Sequence, residues 1–227
     1  MNKLLVLDSS TIISMASSCL LWVFKELKSV SGVRFFITPS VKFETIDNAV
    51  NKKRWMLEAL RVKMLLNEGV FELNESKEID SMCSDIMKYS NSIFFRGGEP
   101  IHIIHKGECE ILALSKIIGA EVIGVDEKTT RLLIEDYKAL WSILENKLHT
   151  KISFHEQNYK AFMDMIGKKY IIRSTEIVGS AFQQGILQKR VRGYPKERDV
   201  IEASLWALKF SGCAISENEI KRYVSKI

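Results

Sequence analysis

The sequence predicts an α/β fold built on a parallel, doubly wound sheet. Short apolar runs typical of strands alternate with longer segments that carry apolar residues at helical spacing, in the order β-α-β-α-α-β-α-α-β-α. The first run, KLLVL at residues 3–7, is continuously apolar after Lys3, as expected of a central strand buried on both faces. Alternation of this kind favours a parallel sheet with helices on both sides.

The first half of the chain supplies three of the predicted strands. Ser10 is expected to cap a helix that runs to about Lys28, and Thr38 with Pro39 begins another, since proline suits the first helical position. The other elements predicted here are strands at 34–37 and 70–73 and helices at about 51–67 and 76–91.

The second half begins with a break in the pattern. Gly97, Gly98 and Pro100 interrupt residues 92–106, which are expected to be irregular. The elements predicted after it are a helix from Gly107 or Glu108 to Ile118, ended by Gly119, and strands at 121–125 and 169–173. The rest of the last hundred residues is expected to be mostly helical. Because the chain has three prolines and no clear linker or repeat, we expect one domain over residues 1–227.

Composition narrows the class of protein. The chain has 227 residues, 46% hydrophobic and 27% charged, so it can bury a normal core. A net charge of +5 permits a nucleic-acid partner without requiring one. The four cysteines form no CxxC pair, which argues against a zinc knuckle and fits a reducing cytoplasm. Asp8 interrupts the apolar N-terminal run, and no stretch looks able to span a membrane, so we expect a cytoplasmic protein with no membrane partner.

Four acidic residues stand just after predicted strands or near the starts of predicted helices: Asp8, Glu44, Glu108 and Asp126. Open α/β sheets bind ligands at the carboxyl ends of their strands, and Asp8 and Asp126 should end neighbouring strands at the centre of the sheet. Carboxylates a few ångströms apart repel one another. The simplest explanation is a divalent cation of the kind that prefers oxygen ligands, Mg²⁺ or Mn²⁺.

Two neighbouring glutamates compete for one place in this cluster. Glu108 lies in the first turn of its predicted helix, where the helix dipole favours an anion. Glu110 is two positions further and points roughly to the opposite side, so Glu108 is the predicted ligand and Glu110 its substitute. Ser10 is expected to place a hydroxyl beside Asp8. The alternative for Asp8 is a structural role as the cap of the first helix.

Other polar groups have weaker patterns. His102 and His105 precede Glu108 and suggest zinc, but the breakers around them mean that they need not share a face. The loop at 188–198 combines basic residues with one aromatic ring, which suits contact with a phosphate backbone and one stacked base; a solvated loop is the alternative. Its candidate RNA-binding residues are Lys189, Arg190, Arg192 and Tyr194.

The acids and their neighbours resemble the PIN-domain family of metal-dependent ribonucleases, in its longer prokaryotic branch. The shared motifs are Asp8-Ser9-Ser10 after the first strand, Pro39 with Val41-x-x-Glu44 after the second, the helix that starts Gly107-Glu108-Cys109-Glu110, and Asp126-Glu127 with Arg131 after the next strand. The stretch 170–187 looks like the last strand and helix of those proteins, and 201–227 looks like their helical tail. The chain departs from the pattern at Gly124, where many members carry threonine.

The resemblance implies a three-layer α/β/α fold with extra C-terminal helices, a mainly helical insertion at about 137–168 and a helical tail at about 196–227. It implies that Asp8, Glu44, Glu108 and Asp126 are both the catalytic residues and the ligands of Mg²⁺ or Mn²⁺, with support from Ser10, Glu110, Glu127 and Arg131. The implied reaction is hydrolysis of single-stranded RNA, by a toxin of a toxin–antitoxin pair or by a processing nuclease. An antitoxin protein and a second copy of the chain are the implied protein partners.

Two other function classes remain open. A PIN-fold protein could bind RNA or a protein without cutting, although the intact acids argue against this. A phosphatase of the haloacid-dehalogenase type needs a second aspartate two residues after the first, where this chain has Ser10. No glycine-rich phosphate loop is present, which argues against a P-loop nucleotide hydrolase.

Overall fold

A central sheet of five parallel strands confirms the predicted α/β class. The computed structural model describes residues 3–190 and 196–227. The sheet has the order β3-β2-β1-β6-β8, and its strands are β1 (Leu4–Leu7), β2 (Arg34–Ile37), β3 (Phe71–Leu73), β6 (Val122–Gly124) and β8 (Tyr170–Ile172). A smaller antiparallel sheet of order β5-β4-β7 contains β4 (Phe94–Arg96), β5 (Glu99–Pro100) and β7 (Ser153–Phe154).

Helices connect the strands and cover the central sheet. Between β1 and β4 they are α1 (Ser9–Ser17), α2 (Trp22–Ser31), α3 (Pro39–Lys42), α4 (Met56–Asn67) and α5 (Lys77–Ser90). Between β5 and β8 they are α6 (Lys106–Ile117), α7 (Lys128–Glu135), α8 (Tyr137–Leu148) and α9 (Glu156–Ile166). After β8 they are α10 (Ser174–Gln183), α11 (Ile186–Arg190), α12 (Glu197–Phe210) and α13 (Glu217–Val224).

The helices form two layers, one on each side of the central sheet. On one side α1 packs against α4 and α10, and α2 packs against α10 and α11. On the other side α5 packs against α6 and α9, and α6 contacts β1 and β6. The chain therefore has the three-layer α/β/α arrangement that was expected, with α12 and α13 following as extra C-terminal helices.

The order of the strands reverses between β1 and β6. From β1 the chain moves outward through β2 to β3, and it then returns to the other side of β1 to add β6 and β8. All four residues of β1 are buried, as the apolar run predicts. Ligands of open α/β sheets bind at such a reversal, outside the carboxyl ends of the strands. Asp8 follows β1 and Asp126 lies two residues after β6, so both flank this point.

The prediction of one long helix from Ser10 to Lys28 is wrong. The chain forms α1 and α2 instead, and the backbone turns between them at Cys19, which has a positive φ of 56°. The apolar spacing continues through this turn because both helices bury a face, so periodicity could not reveal the break. The cap of α1 is Asp8 rather than Ser10.

Two other predicted elements differ in the structure. The helix expected from 51 starts at Met56, after a π-helical turn at Phe43–Asp47 and a 3-10 turn at Ala49–Asn51. The stretch 92–106 is not wholly irregular, because β4 and β5 form a hairpin across Gly97 and Gly98. Both glycines have positive φ angles, 57° and 91°, which a tight two-residue hairpin turn requires.

The last third of the chain is mostly helical, as predicted. Residues 137–168 contain α8 and α9 with the short strand β7 between them, and 196–227 contains α12 and α13. That 137–168 is an insertion relative to the PIN domain stays a prediction. Within 3–190 and 196–227, no helix has the length and apolar character needed to cross a lipid bilayer.

Candidate acidic active site

Asp8 is the acid at the centre of the sheet. Its side chain is buried, with 6% of its surface exposed, and its backbone N–H donates to the Gly124 carbonyl over 2.9 Å, which ties β1 to β6. Its Oδ2 atom accepts the backbone N–H of Ser10 at 3.0 Å, so Asp8 does cap α1. The hydrogen bonds with Ser10 involve Oδ2, and the backbone N–H of Ser9 also lies close to the carboxyl group.

Ser10 joins the two strand ends. Its hydroxyl donates to Asp8 Oδ2, and its Oγ accepts the backbone N–H of Asp126 at 3.1 Å. The expectation of a hydroxyl beside Asp8 is therefore confirmed. Because its hydroxyl both donates to Asp8 and accepts the Asp126 N–H, Ser10 acts as a structural link between the two strand ends.

Glu108 reaches the same place from the opposite helical layer. It lies in the first turn of α6, where its Oε2 accepts the backbone N–H of His105 at 3.0 Å, and 9% of its surface is exposed. The carboxyl group of Glu127 lies nearby. Burial, followed by repulsion from Asp8 and Glu127, raises the pKa of Glu108 to about 7.

Glu44 completes this group from the π-helical turn. The residue is exposed, and its Oε1 lies so close to α6 that a Cβ atom added to Gly107 would be 3.4 Å away. A glycine at 107 therefore leaves room for the Glu44 carboxylate. Burial and the nearby Glu44 charge raise the pKa of Asp8 to about 6, against the lowering effect of its hydrogen bonds with Ser10.

The carboxylate of Asp126 has contacts that the sequence did not predict. Its Oδ1 accepts the Ser174 backbone N–H at 2.6 Å and the Thr11 hydroxyl at 3.4 Å, and its Oδ2 accepts the Ser174 hydroxyl at 2.6 Å. The side chain is 1% exposed. Asp126 thus lies at the N-terminus of α10, with both oxygens already bonded. Ser174 is the first residue of α10, and the cap residue Arg173 separates it from β8.

The carboxylate of Glu110 is bonded to the start of α3, whereas that of Glu108 is bonded to the His105 backbone. Its two oxygens accept the backbone N–H of Ser40 at 3.0 Å and the Ser40 hydroxyl at 2.7 Å, and its Oε1 lies 3.5 Å from Lys106 Nζ. Only 2% of its surface is exposed. Glu110 therefore holds the start of α3 against α6. Because the turn that carries Glu44 directly follows α3, this contact also helps to position Glu44.

Two further supporting residues lie on or beside α7. Glu127 is exposed at the start of α7. It lies near Glu108, where the sequence predicts Asp126 instead. Arg131 is half-buried, and its Nε has no hydrogen-bond partner within the part of the chain that is described. It forms no ion pair there with the acids.

Gly124, the departure from the PIN pattern, has a packing reason. A Cβ atom at this position would lie 2.8 Å from Cδ2 of Leu7 and 3.6 Å from Oγ1 of Thr11. The close contact of β6 with β1 and α1 therefore depends on the absence of a side chain here, and a threonine would not fit without displacement of Leu7.

The acids lack a positive partner. Across residues 3–190 and 196–227, no Lys or Arg forms an ion pair with Asp8, Glu44, Glu108 or Glu127. The same residues contain no group of three His, Cys, Asp or Glu side chains arranged to hold a metal ion. The donor chemistry, carboxylate oxygen alone, fits Mg²⁺ or Mn²⁺.

The remaining predicted residues lie elsewhere or beyond the described chain. His105 begins α6, and neither it nor His102 belongs to a group of metal ligands in the described ranges. Lys189 and Arg190 end α11, where the Arg190 guanidinium lies 4.7 Å from the ring centre of Trp22. Arg192 and Tyr194 fall outside the described residues.

No protein-family model, no curated protein and no solved structure matches this chain. The likeness to PIN domains accordingly rests on the motifs themselves.

Proposed function

We propose that this chain is a divalent-metal-dependent ribonuclease of the PIN-like type, which hydrolyses phosphodiester bonds of single-stranded RNA. One observation carries the proposal: the buried carboxyls of Asp8 and Glu108 lie near each other at the strand reversal and form no ion pair with any described residue. Buried like charges destabilise a fold unless a cation offsets them. A bound divalent cation would offset the repulsion between these carboxylates, so their placement at the strand reversal favours a metal site.

The two buried acids are suited to hold Mg²⁺ or Mn²⁺ firmly. Asp8 and Glu108 each accept a backbone N–H with one oxygen, which orients the carboxylate, and the other oxygen of each is the proposed metal ligand. Glu44 and Glu127 are exposed and can adjust to complete the ligand set. When bound, such an ion lowers the pKa of a water molecule and offsets negative charge on the phosphate.

The other residues of the site have positioning roles in this proposal. Ser10 orients Asp8 and links it to the Asp126 backbone, and Glu110 fixes α3 so that Glu44 lies beside α6. Asp126, predicted to be a ligand, is better explained as the group that holds α10 in place, because three donors already occupy its oxygens.

The test is cleavage of end-labelled single-stranded RNA with Mg²⁺ or Mn²⁺. Asp8→Asn, purified in parallel, should be slower by about a thousandfold or more, since a lost ligand removes several kcal/mol of transition-state stabilisation. Glu156→Gln is a matched control, because Glu156 is an exposed glutamate that forms an ion pair with Lys160. Equal rates for the wild type and Asp8→Asn would mean that the cleavage comes from a contaminating enzyme.

A non-catalytic RNA-binding protein with the same fold is the second candidate. It is favoured by the absence, in the described residues, of three acids gathered as a ready ligand set, and by the hydrogen-bonded state of Asp126. In that case the wild type would bind RNA and leave it uncut at every Mg²⁺ and Mn²⁺ concentration.

A further inference from the structure

A pocket of about 260 Å³ opens beside the acidic site, between α1 and α4. Its walls include Ile12 and Ile13 of α1 and Trp55 and Glu58 at the start of α4, with Glu44 at one end. Glu44 also neighbours Asp8, so the pocket and the acidic group share one side chain. A ligand that has one part at the acids can therefore place another part in this pocket.

The pocket offers a flat aromatic wall with positive charge at its edge. The indole of Trp55 is half-buried, and the Arg54 guanidinium carbon lies 4.8 Å from the centre of its ring. The exposed Lys52 lines the same pocket. Aromatic walls beside cations suit single-stranded nucleic acid, since the ring stacks on a base and the cations attract the phosphates.

Glu58 adds a hydrogen-bonding group to this wall. Its Oε2 atom is enclosed and has no hydrogen-bond partner in the described chain. A buried acceptor without a donor is unfavourable, so a turn of the carboxyl group towards a ligand N–H in the pocket would relieve it. A carboxylate pairs best with two adjacent N–H groups.

We infer that this pocket receives the base of the nucleotide adjoining the phosphate at the acidic site, with Trp55 as the stacking surface and Glu58 as the acceptor that favours guanine. This inference rests on the proposed function for the place of the phosphate. Guanine presents two neighbouring N–H donors on one edge, whereas uracil flanks its single N–H with carbonyl oxygens that repel a carboxylate. Lys52 contacts the sugar–phosphate chain at the mouth of the pocket.

The test measures binding rather than cutting. Fluorescently labelled heptanucleotides of uridine, with the central base replaced by G, A or C, are titrated with the Asp8→Asn protein in Mg²⁺. We expect the guanine-containing strand to bind at least about fivefold more tightly than all-uridine, with Glu58→Gln removing most of that preference. Trp55→Ala should weaken every strand by about tenfold, and Trp55→Phe should restore much of the affinity.

Control variants separate a local effect from misfolding. Trp206→Phe changes a half-buried tryptophan of α12 that does not line the pocket, and it should leave all affinities unchanged. Normal folding of Glu58→Gln and Trp55→Phe would show that the substitutions are tolerated. If the base preference then stays unchanged in Glu58→Gln and the affinity stays unchanged in Trp55→Ala, the base pocket is wrong, even if the wild type cuts RNA. Trp55-dependent binding with a guanine preference in a protein that never cuts RNA would sustain the pocket and overturn the proposed reaction.

Discussion

Replacing Asp8 with asparagine should stabilise the metal-free protein while it destroys the proposed activity. Burial and the Glu44 charge raise the pKa of this carboxyl from 3.8 to about 6, so its charged form is disfavoured in the fold. A shift of about two pKa units corresponds to roughly 3 kcal/mol. Asparagine keeps an oxygen for the Ser10 N–H but loses a charge-assisted bond, so we expect a net gain of about 1–3 kcal/mol at pH 8.

The sign of the pH dependence follows from proton binding. Between pH 3.8 and about 6 the folded protein holds the Asp8 proton more tightly than the unfolded chain does. The free energy of unfolding of the wild type therefore falls as the pH rises through this range, and it stays lowered above it. Asparagine does not titrate, so the advantage of Asp8→Asn should be largest at pH 8 and about half as large at pH 5.

Urea unfolding in EDTA at pH 5 and pH 8 measures this effect. Asp136→Asn is the matched control, because Asp136 caps α8 through an exposed hydrogen bond to the Ala139 N–H, and its free energy of unfolding should change by less than about 0.5 kcal/mol. Added Mn²⁺ should stabilise the wild type more than Asp8→Asn. If Asp8→Asn is less stable than the wild type in EDTA at pH 8, the carboxylate is a helix cap and not a strained ligand.

Four further substitutions test separate parts of the site. Glu108→Gln should abolish RNA cleavage with little loss of stability. Glu110→Gln should instead lower the free energy of unfolding by about 1–3 kcal/mol, because it weakens a buried contact. Equal effects of both variants on cleavage would contradict the assignment of Glu108 to the metal site and Glu110 to a structural role. Ser174→Ala should destabilise the fold by a similar amount in urea, since it leaves a buried Asp126 oxygen without its donor; an unchanged midpoint would show that this contact matters little. Gly124→Thr should lower stability by about 1–3 kcal/mol through its clash with Leu7, and thermal unfolding at or above the wild-type midpoint would refute that packing argument.

The fold was predictable because its strands differ clearly from its helices. The apolar run at residues 4–7 could only be a central strand, and its order relative to 122–124 followed from the alternation of elements. Boundaries were less predictable, since the turn at Cys19 interrupts an apolar pattern that continues on both sides. The sequence does not distinguish the hairpin at 94–100 from an irregular loop. Two adjacent glycines such as Gly97 and Gly98 interrupt helices and strands, but they also form tight hairpin turns.

The site was predictable only in part, because some of its acids are positioned by local sequence and others by contacts with distant residues. The places of Asp8 and Glu108 follow from strand order and helix spacing, both local properties of the sequence. The contacts of Asp126 depend on Ser174, which is 48 residues away and reaches it only through the pairing of β6 with β8. Glu127 becomes the candidate ligand only because Ser174 already occupies Asp126. The Asp126-Glu127 motif alone therefore predicts neither role.

The most direct test of the account is calorimetric titration of the purified protein with Mn²⁺. The account predicts saturable binding to the wild type that Asp8→Asn and Glu108→Gln each weaken strongly, while Glu156→Gln binds like the wild type. It also predicts that Glu127→Gln weakens binding more than Asp126→Asn does. Equal Mn²⁺ affinity in the wild type, Asp8→Asn and Glu108→Gln would contradict the claim that these carboxylates form a metal site.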